Sequence, residues 1–591
     1  MKLAKTLLSL PLIALSVIIS ACGPTSTPTD PTTDDNTSIV GPTTEPVEYD
    51  SNWTPGPNAI KGAKQPARKL PVGEESNLNK MRRTQNRTGL PAKGKSNVLV
   101  VPIEFKDDSV VQQGLGGYSL DFSTNTLSAL DDIYNYYDEE ITRLPSVYQY
   151  YQTSSYENKT VDGVITPVVE LPYTILDVIN KCVNTGTIYA ATSDIVDYVY
   201  SYLFEETQTY YIGDFDSDRD GRIDYISFVS RYPYAEIFND STYNSVLLSF
   251  FGPENYGFTK DLLNAETTLV NSYSFISDSF RTLDESNLAS NMFVNLVGIS
   301  LGLDSYVDYS YNLSTGTPRA TLGYTDMMQG AIGDHSAFSK YQLGWIEPTK
   351  ISANSLPQDG MSVQIVDLAT KGDVILLYTG KFNEFGEYLL IDMYHPDNIL
   401  NKPNKTVAGP YGTNTFSARG IRVTKVDARL VRGYGNQFNE FDGTTDFNDW
   451  IKLPNGEITQ YVYDYAYTTS SVNKYYNYGI TANYPLVALL SKNGANRHLV
   501  DYTVPFTYND LFIQGDVFAT VDSVDGFYNN FRFDGNGQNG PLLNINFKVE
   551  EFINNKTNLK IWRANKYEKT QFTCPYSFSY CNCRHKRCFC K

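Results

Sequence analysis

The chain has 591 residues, 41% hydrophobic and 19% charged, a balance that supports two or three packed domains and excludes a wholly disordered protein. A net charge of −18 repels phosphate backbones, so nucleic acid is excluded as a partner and cations or basic partners are favoured. Seven cysteines fall too unevenly for a disulfide framework in the body: Cys22 near the start, Cys182 alone, and five from Cys574 to Cys590.

Lys2 and Lys5 precede the apolar run Leu7 to Ile19 and the small residues Ser20 and Ala21, so residues 1–21 are expected to be a signal peptide. The run is shorter than the roughly 20 residues that span a bilayer. Ile19-Ser20-Ala21-Cys22 resembles the lipobox of bacterial lipoproteins. That resemblance implies cleavage before Cys22, lipidation of Cys22, and an anchor on the extracellular face of the bacterial cell membrane, where two or more acyl chains hold stably. Residues 22–60, rich in threonine and proline, have too few apolar side chains to offset ordering entropy and are expected to be a disordered stalk. Residues 61–95 are basic and polar and read as a linker or the remnant of a pro-segment.

Val98 to Phe105 is a β-branched apolar run of buried-strand type, with Lys106-Asp107-Asp108 as a turn after it. A helix is expected to start within Leu130 to Tyr137. The segment Asp214-Phe-Asp216-Ser-Asp218-Arg-Asp220-Gly221-Arg222-Ile-Asp224 sets alternate carboxylates where they can converge on one cation, with Gly221 at the sharp turn, and reads as a calcium loop. The candidate ligands are the side chains of Asp216, Asp218, Asp220 and Asp224 and the carbonyl of Arg222, with Asp214 as an alternative first ligand. An EF-hand would place a glutamate where Ser227 stands, inside the apolar run Tyr225 to Val229, so the loop is expected to enter a strand. The alternative is an acidic turn that holds no ion.

Ala289, Met292, Leu296, Ile299 and Leu303 recur at helical spacing, which predicts a helix over Asp284 to Leu303. Within it, Phe293, Val294, Gly298, Leu301, Gly302, Leu303 and Asp308 fall in register with F-V-H-E-x-G-H-x-L-G-L-P-D-x-Y-D. This is the active-site stretch of secreted zinc metalloproteases of the immune inhibitor A type, which the chain resembles. Pro145 to Tyr156, with its S-V-x-x-Y-Y pattern, resembles a second family segment. Leu322 to Met328 resembles the family's methionine turn, Ser336 to Ile346 the helix after it, and Gly420 to Leu430 a later strand in which Lys425 stands at a histidine place. The resemblance covers roughly residues 97 to 550. It implies a zincin-like, α+β metalloprotease-like domain over 96–350 followed by a β-rich, sandwich-like domain over 351–560.

Asn295, Leu296 and Ile299 occupy the histidine, glutamate and histidine places of that motif. Zinc hydrolysis needs two imidazoles one turn apart and a carboxylate to take a proton from zinc-bound water. Zinc and a catalytic residue are therefore expected to be absent at these degenerate positions. His335, His395, His498 and His585 are the remaining histidines, and no two lie one turn apart. A rearranged site from His335 with Asp308 and Asp326 stays open. No G-x-S-x-G elbow supports a serine nucleophile.

Period-two runs such as Val363 to Leu368, Val374 to Tyr378 and Glu387 to Asp392 dominate the second half. Residues 561–591 form a cysteine-rich tail expected to be unstructured, with a metal or disulfide knot as the alternative. The sequence thus reads as a membrane-anchored, calcium-binding surface lipoprotein that binds a peptide, glycan or protein in the former protease cleft without catalysis. A metallopeptidase using a rearranged site and a structural envelope lipoprotein are the alternatives.

Overall fold

The computed structural model describes most of residues 88–402, with short gaps, the segments 417–440, 486–492, 507–518 and 545–563 with gaps, and Ser76, Asn79 and Lys80. The signal peptide, Cys22, the stalk, most of 61–95 and the tail beyond Arg563 lie outside the described residues, as do the side chain of Asp308 and Tyr324. Among the described residues no helix is long and apolar enough to cross a membrane.

The chain is a mixed α/β protein with parallel and antiparallel sheets. Strand β1 (Gly94–Phe105) runs through the centre of the first sheet. Helices α1 (Thr124–Asn135) and α2 (Val147–Ser154) follow, N-capped by the hydroxyls of Ser123 and Ser146. Next come β2 (Lys159–Ile165), β3 (Val169–Leu171), α3 (Ile175–Thr185) and α4 (Tyr189–Tyr200). Strand β4 (Ile223–Ser230), helix α5 (Ser241–Phe251), and strands β5 (Tyr256–Phe258) and β6 (Val270–Ser277) complete the unit. The strand order is β2-β1-β4-β6-β5, with β3 also on β1. All pairings are parallel except β5 with β6.

Alternation along β1 explains the layering. Val98 and Val100 face a core containing α1, α2 and the helix α6 (Asn291–Ser300). Leu99, Val101, Ile103 and Phe105 face α3, α4 and α5. The sheet is therefore buried on both sides, which suits the unbroken apolar run of its strands.

Two sequence expectations are corrected here. Helix α1 begins at Thr124, six residues before Leu130, because Ser123 supplies the cap. Helix α6 begins at Asn291, not Asp284: Thr282–Asp284 and Asn287–Leu288 pair as a small antiparallel hairpin, which claims the backbone that helical spacing alone would have assigned to the helix.

After α7 (Ala337–Gln342) the chain is mostly strand. One sheet runs β7 (Thr349–Ser352), β9 (Val374–Tyr378), β10 (Glu387–Tyr394), β11 (Gly420–Asp427), β12 (Val487–Leu490). The other runs β8 (Met361–Val366), β15 (Lys556–Arg563), β14 (Ile545–Ile553), β13 (Val517–Phe518). Ile375, Leu377, Leu389 and Ile391 of the first share a core with Ile365, Phe547, Leu559 and Ile561 of the second, as stacked sheets do. The run expected through Leu368 ends as strand at Val366, since Asp367 caps a short helix, Leu368–Lys371. Strand β15 continues past residue 560 to Arg563.

Candidate functional site

Helix α6 is held from behind. Gly298 allows close approach, because a Cβ there would lie 2.5 Å from Met328 Sδ and 3.2 Å from the Tyr151 hydroxyl. That hydroxyl donates to Val294 O at 2.7 Å. Ser290 sits at the N-cap, but its side chain donates to Pro145 O and makes no cap bond to the helix.

The three degenerate positions are enclosed. Asn295, Leu296 and Ile299 are 6%, 1% and 5% exposed. Leu296 and Ile299 belong to the core that also holds Phe293, Met327 and Met328. Asn295 turns its amide to the methionine segment, donating from Nδ2 to Met327 O at 3.1 Å. Zinc needs imidazole, thiolate or carboxylate donors, and this helix presents one amide and two hydrocarbon side chains. The residues do not fit zinc. A small cleft opens beside the N-terminal end of α6, lined by Pro145, Tyr150, Ser290, Asn291, Met327 and Leu400.

His335 lies in the same core, fully buried, with Nδ1 3.7 Å from Asp326 Oδ1, which is longer than a hydrogen bond. Neither ring nitrogen has a hydrogen-bond partner. The rings of Tyr150, Tyr151 and Trp345 pack around it. Asp326 is committed elsewhere, accepting from Met328 N, Ser336 N and Ser339 Oγ at 2.7, 2.7 and 2.8 Å. Two of the three members of the possible rearranged site thus adjoin, shut away from solvent. Lys425 forms an ion pair with Glu387 at 3.0 Å.

A buried ion pair that the sequence does not announce as a pair joins Lys340 and Asp334. Lys340, fully buried, meets Asp334 Oδ2 at 2.5 Å and donates to the Tyr156 hydroxyl at 3.1 Å. Asp334 Oδ1 also accepts from Ser154 Oγ at 2.5 Å and His335 N at 2.8 Å. Burial pushes the Lys340 ammonium below its ordinary range, against the opposing pull of Asp334. Only its first member is hinted at in sequence, by the match of Ser336 to Ile346 with a family helix.

The aspartate loop precedes β4, as expected, and three of its carboxylates converge. Oxygens of Asp216, Asp218 and Asp224 lie within 4.8 Å of one another. Gly221 takes φ +87° and Arg219 φ +64°, the left-handed conformations that fold the loop back. Asp220 N donates to Asp216 Oδ1 at 2.9 Å and Asp218 Oδ1 at 3.2 Å, and Gly221 N donates to Asp216 Oδ2 at 2.9 Å. Asp224 is fully buried. Its Oδ2 accepts from Ser217 N at 3.0 Å, while Oδ1 is buried with no hydrogen-bond partner. Burial pushes the Asp224 carboxyl up to about 7, against the hydrogen bonds from Ser217.

The side chain of Asp220, also an expected ligand, is engaged elsewhere. Asp220 uses Oδ1 for Arg222 N at 2.8 Å and Oδ2 for Asn271 Nδ2 at 2.8 Å. The carbonyl of Asp214 accepts from Asn97 Nδ2 at 2.8 Å. Asn97 and Asn271 tie the loop to β1 and β6, a role that loop spacing could not reveal. The set fits a hard cation: all-oxygen donors, and a buried carboxylate oxygen that a cation would satisfy.

No known protein family's sequence profile matches the chain, and no curated protein matches it.

Proposed function

We propose that this protein is a bacterial surface lipoprotein, anchored through Cys22, whose immune inhibitor A-like metalloprotease domain has given up zinc hydrolysis and acts as a non-catalytic binding module, with calcium held by the aspartate loop. The observation that carries the reading is the burial of Asn295, Leu296 and Ile299 in a helix that offers no zinc donor and no general base. Those three positions keep the spacing of the motif and have lost its chemistry. A rearranged hydrolytic centre at His335 would need access for water and substrate, and that imidazole is enclosed by aromatic rings. A peptide, glycan or protein ligand remains the class of partner in keeping with the resemblance.

Zinc content of the purified protein, measured with and without chelator, tests the reading alongside cleavage of a broad protein mixture. The expected result is zinc well below one ion per chain and no chelator-sensitive cleavage. One zinc per chain together with chelator-sensitive cleavage would overturn it.

A further inference from the structure

We propose that the face formed by β3, the outer side of α4 and the π-helical turn that follows it, Ser201–Glu206, is a docking surface for an arginine-rich segment of a partner protein. Three tyrosines form a row there. Tyr173 meets Tyr198 edge-on with centroids 6.2 Å apart, and Tyr198 stacks on Tyr202 at 6.1 Å with the ring planes 8° apart. Tyr202 is 36% exposed. An aromatic ring left at the surface presents a negative face that attracts cations.

The charges around the row have one dominant sign. Asp194 and Asp197 bear on the phenol of Tyr173, and Glu206 and Glu170 on that of Tyr198. Asp194 is already paired with Lys181. Asp197 has a buried oxygen, Oδ1, that accepts no hydrogen bond, and Glu170 and Glu206 are exposed. The π-helical turn widens the backbone where Tyr202 and Glu206 emerge, a deviation that α-helices frequently carry at functional sites.

The geometry selects among cations. Parallel and edge-on rings in a line make no enclosure for a single ammonium group. The carboxylates extend along the row from β3 to the end of the π-helical turn, which suits several cations in sequence. A guanidinium is planar, stacks on an aromatic face and hydrogen-bonds carboxylates in a fork, so arginine fits better than lysine. The proposal extends the reading of the chain as a binding module. Its test touches no residue of α6, which packs on the opposite face of the sheet, so each can fail without the other.

The full chain is titrated by calorimetry with a hexa-arginine peptide at about 0.15 M salt, where surface charges are screened beyond about 8 Å. Four variants are compared: Tyr202→Ala, Tyr202→Phe, the pair Glu170→Gln with Glu206→Gln, and a control pair of exposed glutamates elsewhere, Glu347→Gln with Glu550→Gln. Circular dichroism verifies folding of each. Tyr202→Ala and the Glu170/Glu206 pair are expected to weaken binding at least roughly threefold, the scale of an exposed cation–π contact, while Tyr202→Phe and the control pair bind as wild type. Absence of wild-type binding, or equal binding by all variants, would overturn the proposal, the latter because attraction would then follow net charge alone.

Discussion

Calcium should raise the melting temperature of this protein, and the loop geometry names the residue through which it should act. A ligand that binds only the folded state stabilises it by RT ln(1 + [L]/Kd). Extracellular calcium modules bind at roughly 10⁻⁴ to 10⁻³ M, so about 5 mM calcium should add about 1 to 2 kcal/mol. At about 2–4 °C per kcal/mol for a mid-sized domain, the shift is about 2 to 8 °C. Asp224→Asn is the discriminating variant. Its amide oxygen can keep the bond from Ser217 N, while its amide nitrogen takes the place of Oδ1, the buried oxygen that now has no partner. The variant replaces a buried charge with a donor facing Asp216 and Asp218. Without calcium it should melt at or above the wild-type temperature, and its calcium response should vanish. Differential scanning calorimetry with calcium, and with magnesium as control, reads both. A flat wild-type titration, or an Asp224→Asn shift equal to that of wild type, would refute the metal assignment and leave an acidic turn.

Two further outcomes follow from buried charges. Lys340→Met should cost about 3–5 kcal/mol in urea unfolding, because it leaves Asp334 buried without its cation; Asp334→Asn should cost less, since burial already favours the uncharged amine, and equal costs would contradict that account. Asp108 is buried at the end of β1, accepting from Phe105 N at 2.7 Å and the Tyr232 hydroxyl at 2.8 Å, and burial pushes its carboxyl up to about 7. The folded form therefore binds the extra proton between the ordinary value of 3.8 and about 7, so this group's contribution to stability falls as pH rises through that window and levels off above it. Asp108→Asn should flatten that slope and raise stability above pH 7, on the order of a few kcal/mol at most; a variant with an unchanged pH profile of urea midpoints would count against it.

Legibility varied with how local each feature is. The run Val98 to Phe105 read as a buried strand because every residue in it suits burial on one face or the other, and the structure buries β1 between two helical layers. The start of α6 did not read correctly, since Ala289 continues the spacing of the helix while Asp284, Asn287 and Leu288 are taken by strand pairing. Aspartate spacing located the loop before β4 but could not say which carboxylates meet. Asp220 leaves the group because Asn271, distant in sequence, claims one of its oxygens. The Lys340–Asp334 pair arises from α7 folding onto Ser154 and Tyr156, an arrangement with no sequence period to betray it.

On the proposed reading, α6 keeps the form of a zinc-site helix without its chemistry. One side of the helix does structural work that no metal supplies: Gly298 admits Met328, and Val294 O receives the Tyr151 hydroxyl. The side on which a zinc site would place its donors holds Leu296 and Ile299 in the core, each contributing on the order of 1.5–3 kcal/mol by burial. A metal that organises a site also stabilises the fold around it; here apolar packing and the single bond from Asn295 to Met327 do that. Building the zinc motif into α6 is therefore uphill: a glutamate at position 296 would enter a site 1% exposed with no cation on α6 to meet it, and an unpaired buried carboxylate takes up a proton before it can act as a base. Restoring the three motif residues alone would supply the letters of the motif without the solvated groove in which a zinc-bound water could be activated.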